Sequence, residues 1–125
     1  MTPSDQTPFA MTPRYEPKHY ILDANNNTVE VDLLTWGRWL QENINERIVG
    51  YTEITSQVRV STVFLGLDHR FPGMKEGPPI LFETLVFGGP LDGEGNRYSS
   101  WDDAETGHKA FVRIARAYQR KGVHP

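Results

Sequence analysis

Two apolar, β-rich runs held apart by a polar connection constrain this chain most: VRVSTVFLGL at residues 58–67 and ILFETLVF at 80–87. Both are rich in β-branched and aromatic residues and bounded by turn formers, the signature of strands. Neither alternates cleanly. Val58, Val60, Thr62 and Phe64 fall on one side of the first, with Val63, Leu65 and Leu67 on the other. In the second, Ile80, Phe82 and Val86 oppose Leu81, Leu85 and Phe87. Strands that are apolar on both sides belong in the middle of a sheet or under cover on both faces. Their closeness in sequence favours an antiparallel pair. The connection at 68–79 exceeds the two to five residues usual for a hairpin, and its mixture of charged, apolar, Gly and Pro residues suits a binding loop.

The rest of the chain arranges itself around this unit. Residues 1–17 carry Pro3, Pro8, Pro13 and Pro17 and read as an extended arm; 18–122 read as one domain, with 123–125 as a tail. HYILD at 19–23 and TVEVD at 28–32 flank an Asn run that favours Asx turns, so a hairpin is expected there. Asp32 is placed to cap a helix starting at Leu33, with Leu33, Trp36, Leu40 and Ile44 as its inward stripe and Gly37 close against a strand. RIVGYTEI at 47–54 is a weaker strand, and 88–96 is a loop by composition. A second helix starts after Ser99 or Ser100. Its acidic residues sit early, its basic residues late, and Gly122 ends it. Trp101, Ala104, His108, Val112 and Ala115 share one face of it. The order is ββαβββα: an α+β fold, with a largely antiparallel sheet of about five strands and two helices on one face.

Composition narrows the function classes. A net charge of −3 gives no basis for generic nucleic-acid binding. The absence of cysteine removes disulfide and thiolate chemistry. No apolar run approaches the roughly 20 residues of a membrane span, and no secretory leader pattern is present, so an intracellular, cytoplasmic protein is expected.

Four residues carry chemistry of interest: Asp68 and His69 after the first run, Glu83 inside the second, and His108 on the last helix. Carboxylates and imidazoles move protons and bind metals. With residue 68 opposite residue 80, however, Glu83 faces Leu65, roughly 10–13 Å along the strand from His69. No metal-ligand spacing or cofactor motif is present, so no metal and no cofactor are expected. His108 is expected to donate to a backbone carbonyl. Glu83 interrupts an apolar strand and needs a partner, for which Arg59, Arg97 and Arg38 are the candidates. The aromatics Trp36, Trp39, Phe64, Phe82, Tyr98 and Trp101 read first as core and second as a platform for a planar ligand. Arg97 and Tyr98 precede a helix start, where backbone N–H groups favour anions. The binding set is therefore Arg59, Asp68, His69, Arg70, Phe71, Lys75, Glu83, Arg97 and Tyr98.

The strings VSTVFLGLDHRF at 60–71, PPILFETLVFGG at 78–89 and RYSSWDDAETGH at 97–108, with ILDANNNTVEVDLLTWGRWL at 21–40, resemble a family of small proteins encoded by bacteriophages and prophages. That resemblance implies expression in a bacterial host cytoplasm and action on host machinery or host defence. The expected function is non-catalytic binding of a host protein. The alternatives are a small hydrolase acting on a nucleotide-like substrate and sequestration of a nucleotide signal, with Arg59 or Arg97 reading its phosphate. A dimer is compatible with the sequence.

Overall fold

The computed structural model describes residues 17–70 and 76–120. The proline-rich arm, Phe71, Lys75, Gly122 and the tail fall outside that range, apart from Pro17. The elements run β1 (His19–Leu22), β2 (Thr28–Val31), α1 (Leu33–Glu42), a 3-10 turn (Asn45–Arg47), β3 (Ile48–Thr55), β4 (Val58–Phe64), β5 (Phe82–Phe87), β6 (Gly95–Tyr98) and α2 (Trp101–Arg120). The class is α+β, with every strand pair antiparallel.

Among the described residues six strands form two sheets, a hairpin β1-β2 and a four-stranded sheet in the order β3-β4-β5-β6. The hairpin turns as the Asn run suggests. Asp23 Oδ1 accepts from the backbone N–H of Asn25 and Asn27 at 2.8 and 2.9 Å, and Asn26 adopts φ 64°. β6 corrects the reading of its first residues as loop. Gly95 and Asn96 are poor strand formers, but the open edge of β5 pairs with them and with Arg97 and Tyr98. Edge pairing outweighs weak intrinsic propensity.

The two sheets meet where β4 runs on past its end. Tyr20 N–H donates to the Gly66 carbonyl at 2.8 Å, so β1 takes up the edge that β3 has left. Arg47 Nε donates to the Phe64 carbonyl at 3.1 Å near that junction.

α2 lies across all four strands of the larger sheet, whereas α1 packs on β1. Ser100 caps α2 through a 3.1 Å bond from Asp103 N–H, and Asp32 caps α1 through 2.8 Å from Thr35 N–H. The buried residues of α2 are Ala104, His108, Val112 and Ala115, the face its spacing implies. Trp101 is half-buried at the start of that face, edge-on to Phe82 at 6.3 Å. α1 departs from expectation. None of its residues is fully buried; Leu33 is 58% exposed and Ile44, beyond its end, 65%. Trp36 and Leu40 of the expected stripe do turn inward, with Trp39 beside them edge-on to Phe64 at 5.8 Å. The two indoles offer the larger apolar area, so they set the rotation of the helix. Gly37 meets no strand: among the described residues nothing stands within 4 Å of where its Cβ would be.

The core has two parts. Leu22, Phe64, Leu81, Phe82 and Ala104 form one, with Trp39, Tyr98 and Trp101 against it. Val58, Val60, Val86, Val112 and Ala115 form the other. The aromatic set is thus largely core packing.

Candidate functional site

Strand alternation sorts the candidate residues onto two faces of the larger sheet. Thr62, Thr84 and Tyr98 face α2, and His108 projects down among them. Its Nδ1 lies 2.8 Å from Thr62 Oγ1 and its Nε2 2.9 Å from Thr52 Oγ1. Thr62 and Thr84 hydroxyls are 2.6 Å apart, and the Tyr98 hydroxyl donates to Thr84 at 3.1 Å. One donor order satisfies the whole chain: Tyr98 to Thr84, Thr84 to Thr62, Thr62 to His108 Nδ1, and His108 Nε2–H to Thr52. The imidazole is then neutral, and burial holds its pKa below the ordinary 6.5. The partners are hydroxyls rather than the expected backbone carbonyl, because the strands have already committed their carbonyls to the sheet. Two glycines admit the network. A Cβ on Gly50 would lie 2.7 Å from the His108 ring, and one on Gly107 would collide with the Tyr98 hydroxyl.

Asp68 is 5% exposed and organises the start of the 68–79 connection. Its Oδ1 accepts from the N–H of Arg70 and Ile80 at 3.0 and 3.1 Å. Its Oδ2 accepts from Arg70 Nε at 2.8 Å and Nη2 at 2.6 Å. Arg70 Nη1 reaches on to the Gly77 carbonyl at 2.6 Å. Burial pushes the Asp68 carboxyl up, but the hydrogen bonds from Arg70 and Ile80 together outweigh it, and its pKa sits below the ordinary 3.8. Asp68 and Arg70 thus close the two ends of the connection on each other, while His69 is exposed.

The opposite face of the sheet is the candidate site. Register places Ile48, Val63, Glu83 and Arg97 in one row across four strands, and Tyr51, Ser61, Leu85 and Gly95 in the next. Glu53, Arg59 and Phe87 form a third. Among the described residues no helix packs on this side. Tyr51 is 54% exposed and Ile48 43%. Arg97 Nε donates to Glu83 Oε2 at 3.0 Å, which settles the partner of Glu83. The Arg59 guanidinium lies 4.7 Å from the centre of the Phe87 ring, a cation–π contact made by an exposed arginine. A shallow depression of about 350 Å³ runs beside Glu83, Leu85, Gly95, Asn96 and Arg97.

Two expectations are corrected here, the strand partner of Glu83 and the pairing of Arg97 with Tyr98 at one site. Glu83 pairs with Val63 rather than Leu65, the irregular backbone after Phe64 taking up the difference, so that Glu83 stays roughly 10 Å along the chain from Ile80, whose carbonyl accepts from His69 N–H at 2.9 Å. Glu83 and His108 lie on opposite faces of the sheet, so Asp68, His69, Glu83 and His108 do not form one acid–base site, in line with the separation expected from the sequence. Arg97 and Tyr98 also part company, since Arg97 joins the open face and Tyr98 the buried network. The helix start beside them instead borders a cleft of about 320 Å³ shared with Asn25, Asn26, Asn27 and Trp101. Arg59, Glu83 and Arg97 are brought together on one surface, and Asp68 and Arg70 form a separate latch. Thr52 and Thr84 escaped notice in the sequence, although threonines at matching alternate positions of two paired strands are the signal for a polar seam. Among the described residues no three His, Asp or Glu side chains gather as a metal site, and no helix is long and apolar enough to cross a membrane. Comparison with protein-family models, with curated proteins and with solved structures finds no match.

Proposed function

We propose that this protein is a non-catalytic binding domain that engages a partner protein through the open face of its four-stranded sheet. The observation that carries this reading is the composition of that face. Tyr51, Val63, Leu85 and Phe87 provide apolar and aromatic surface, and Arg59, Glu83 and Arg97 surround it with hydrogen-bonding charge. Aromatic and arginine residues in an apolar patch bordered by charge are the usual make-up of protein–protein hot spots. Rigid strands carry all of them, so little order has to be gained on binding. The resemblance of the strings at 60–71, 78–89 and 97–108 to phage-encoded proteins makes a bacterial host protein, such as a component of host defence, the class of partner, encountered in the host cytoplasm.

Affinity capture from bacterial lysate with face variants tests this. Leu85→Glu and Arg59→Glu, each with unchanged far-UV circular dichroism, are expected to lose a partner that the wild type and Lys109→Glu, on the exposed side of α2, retain. Equal recovery by all four proteins would remove the open face from consideration.

A further inference from the structure

The charge of this chain is segregated along its length. All 16 acidic residues lie before residue 106, together with eight of the 13 Lys and Arg. The last 20 residues carry the other five cations and no Asp or Glu, so the net charge of −3 divides into −8 up to residue 105 and +5 beyond it. Such asymmetry points to an anionic partner where the average does not. α2 draws the basic part into a line. Lys109, Arg113, Arg116 and Arg120 follow at spacings of four, three and four, so they fall within roughly 60° of arc and extend about 16 Å along one side of the helix. All four are exposed, about a third of a turn round from the buried Ala104, His108, Val112 and Ala115. Among the described residues none of the four forms an ion pair. Like charges three and four apart repel and weaken a helix. The helix dipole offsets this only in the last turn, where Arg120 alone stands. Lys109 and Arg113 lie mid-helix, and the fold gains nothing from their charge.

We propose that this stripe binds the phosphate backbone of duplex DNA. Charge complementarity selects a polyanion, and the make-up of the stripe selects which one. Guanidinium forks match phosphate oxygens. A protein interface needs an apolar centre, and the stripe has none. Ile114 and Tyr118, the exposed large apolar residues of α2, lie more than about a third of a turn away. The same separation keeps them from entering a bilayer beneath the cations. No aromatic stands on the stripe to stack single-stranded bases, and no amide or hydroxyl to read ribose 2′-hydroxyls. What remains is neutralisation of phosphates on a double helix, whose charge of one per ~1.7 Å of axis makes counterion release the driving force. The buried side of α2 is held on the sheet, so the helix lies along the backbone rather than deep in a groove, and binding is independent of sequence. The acidic remainder of the chain repels DNA, which sets the affinity at the weak end of non-specific binding, near ~10⁻⁴ M at physiological salt. The stripe belongs to a different element from the open sheet face, and the proposal does not rest on that reading.

Fluorescence anisotropy of a labelled duplex roughly two helical turns long, titrated with the full chain between about 50 and 200 mM salt, tests it. Four neutralised phosphates predict a slope of about −3.6 in log K against log salt, a loss of roughly a hundredfold across that range. Lys109→Gln/Arg113→Gln is expected to halve the slope and to weaken binding on the order of a hundredfold at the lowest salt. Its melting temperature should hold or rise, because neutral side chains relieve the repulsion along the helix. Leu85→Ser, on the open sheet face, should leave DNA binding unchanged. No binding at about 50 mM salt with roughly 100 μM protein overturns the proposal. So does a flat salt dependence, indifference to the double substitution, or a fall in melting temperature that would make the cations structural. Preference for a single strand, for duplex RNA or for phosphatidylserine vesicles would assign the stripe to another polyanion and equally overturn it. Capture of an acidic protein, lost in the double variant while DNA stays unbound, would do the same.

Discussion

Replacing Thr62 by valine keeps the shape of a side chain that is 0% exposed and removes one hydroxyl. That hydroxyl joins the two halves of the buried network, accepting from Thr84 and donating to His108 Nδ1 at 2.6 and 2.8 Å. Without it the Thr84 O–H and the His108 Nδ1 lone pair both lack a partner in a space closed to water. Each stranded group costs about 1–3 kcal/mol, so Thr62→Val is expected to lose about 2–5 kcal/mol despite its greater hydrophobicity. The loss is then a large part of the 5–15 kcal/mol typical of a domain. Urea unfolding at pH 7.5, followed by tryptophan fluorescence and far-UV circular dichroism, measures it. The double variant Thr62→Val/Thr84→Val supplies the check on mechanism. Removing Thr84 as well removes one stranded donor, so the two costs should fail to add, with a coupling of about 0.5–3 kcal/mol. A Thr62→Val loss below about 0.5 kcal/mol, or strict additivity, would show that the seam contributes nothing as a network, contrary to the pairwise reasoning.

Asp68→Asn is expected to cost about 3–5 kcal/mol, because it breaks a largely buried pair and leaves the Arg70 guanidinium with a neutral partner; chemical denaturation at pH 7 measures this. Burial keeps native His108 neutral below its ordinary pKa of 6.5, so the unfolded chain binds the proton first as pH falls. The His108 contribution is therefore complete above pH 7 and declines as pH drops from about 6.5 toward the native value, whereas the Asp68 contribution is lost only below about 3.8. Urea midpoints at pH 7.5, 6.5 and 5.5 follow the first window; a flat profile there contradicts the neutral assignment. Gly50→Ala should destabilise by roughly 1–3 kcal/mol, since its methyl would press on the His108 ring, and thermal melting reads this directly. Arg97→Ala should change stability by less than about 1 kcal/mol, its pair with Glu83 being half in solvent, while sharply reducing partner capture if the open face is the binding surface.

Several features follow from the sequence by itself, because short-range physics decides them. The Asn-rich turn, the Asp32 and Ser100 caps, the two central strands and the inward face of α2 each depend on residues within a few positions of one another. Long-range pairing decided the rest. Gly95 and Asn96 became strand only because β5 presented an unpaired edge. α1 turned Leu33 and Ile44 outward because two indoles competed for the same limited surface, an outcome that depends on what lies opposite. The site shows the same division. Glu83 visibly needed a cation, but register across β5 and β6 chose Arg97 from three candidates. A shift of two residues in the β4–β5 pairing sets Glu83 opposite Val63 instead of Leu65 and leaves it on the same face. Alternation along a strand is written in the sequence; which strand residue stands beside which is fixed only when the sheet closes.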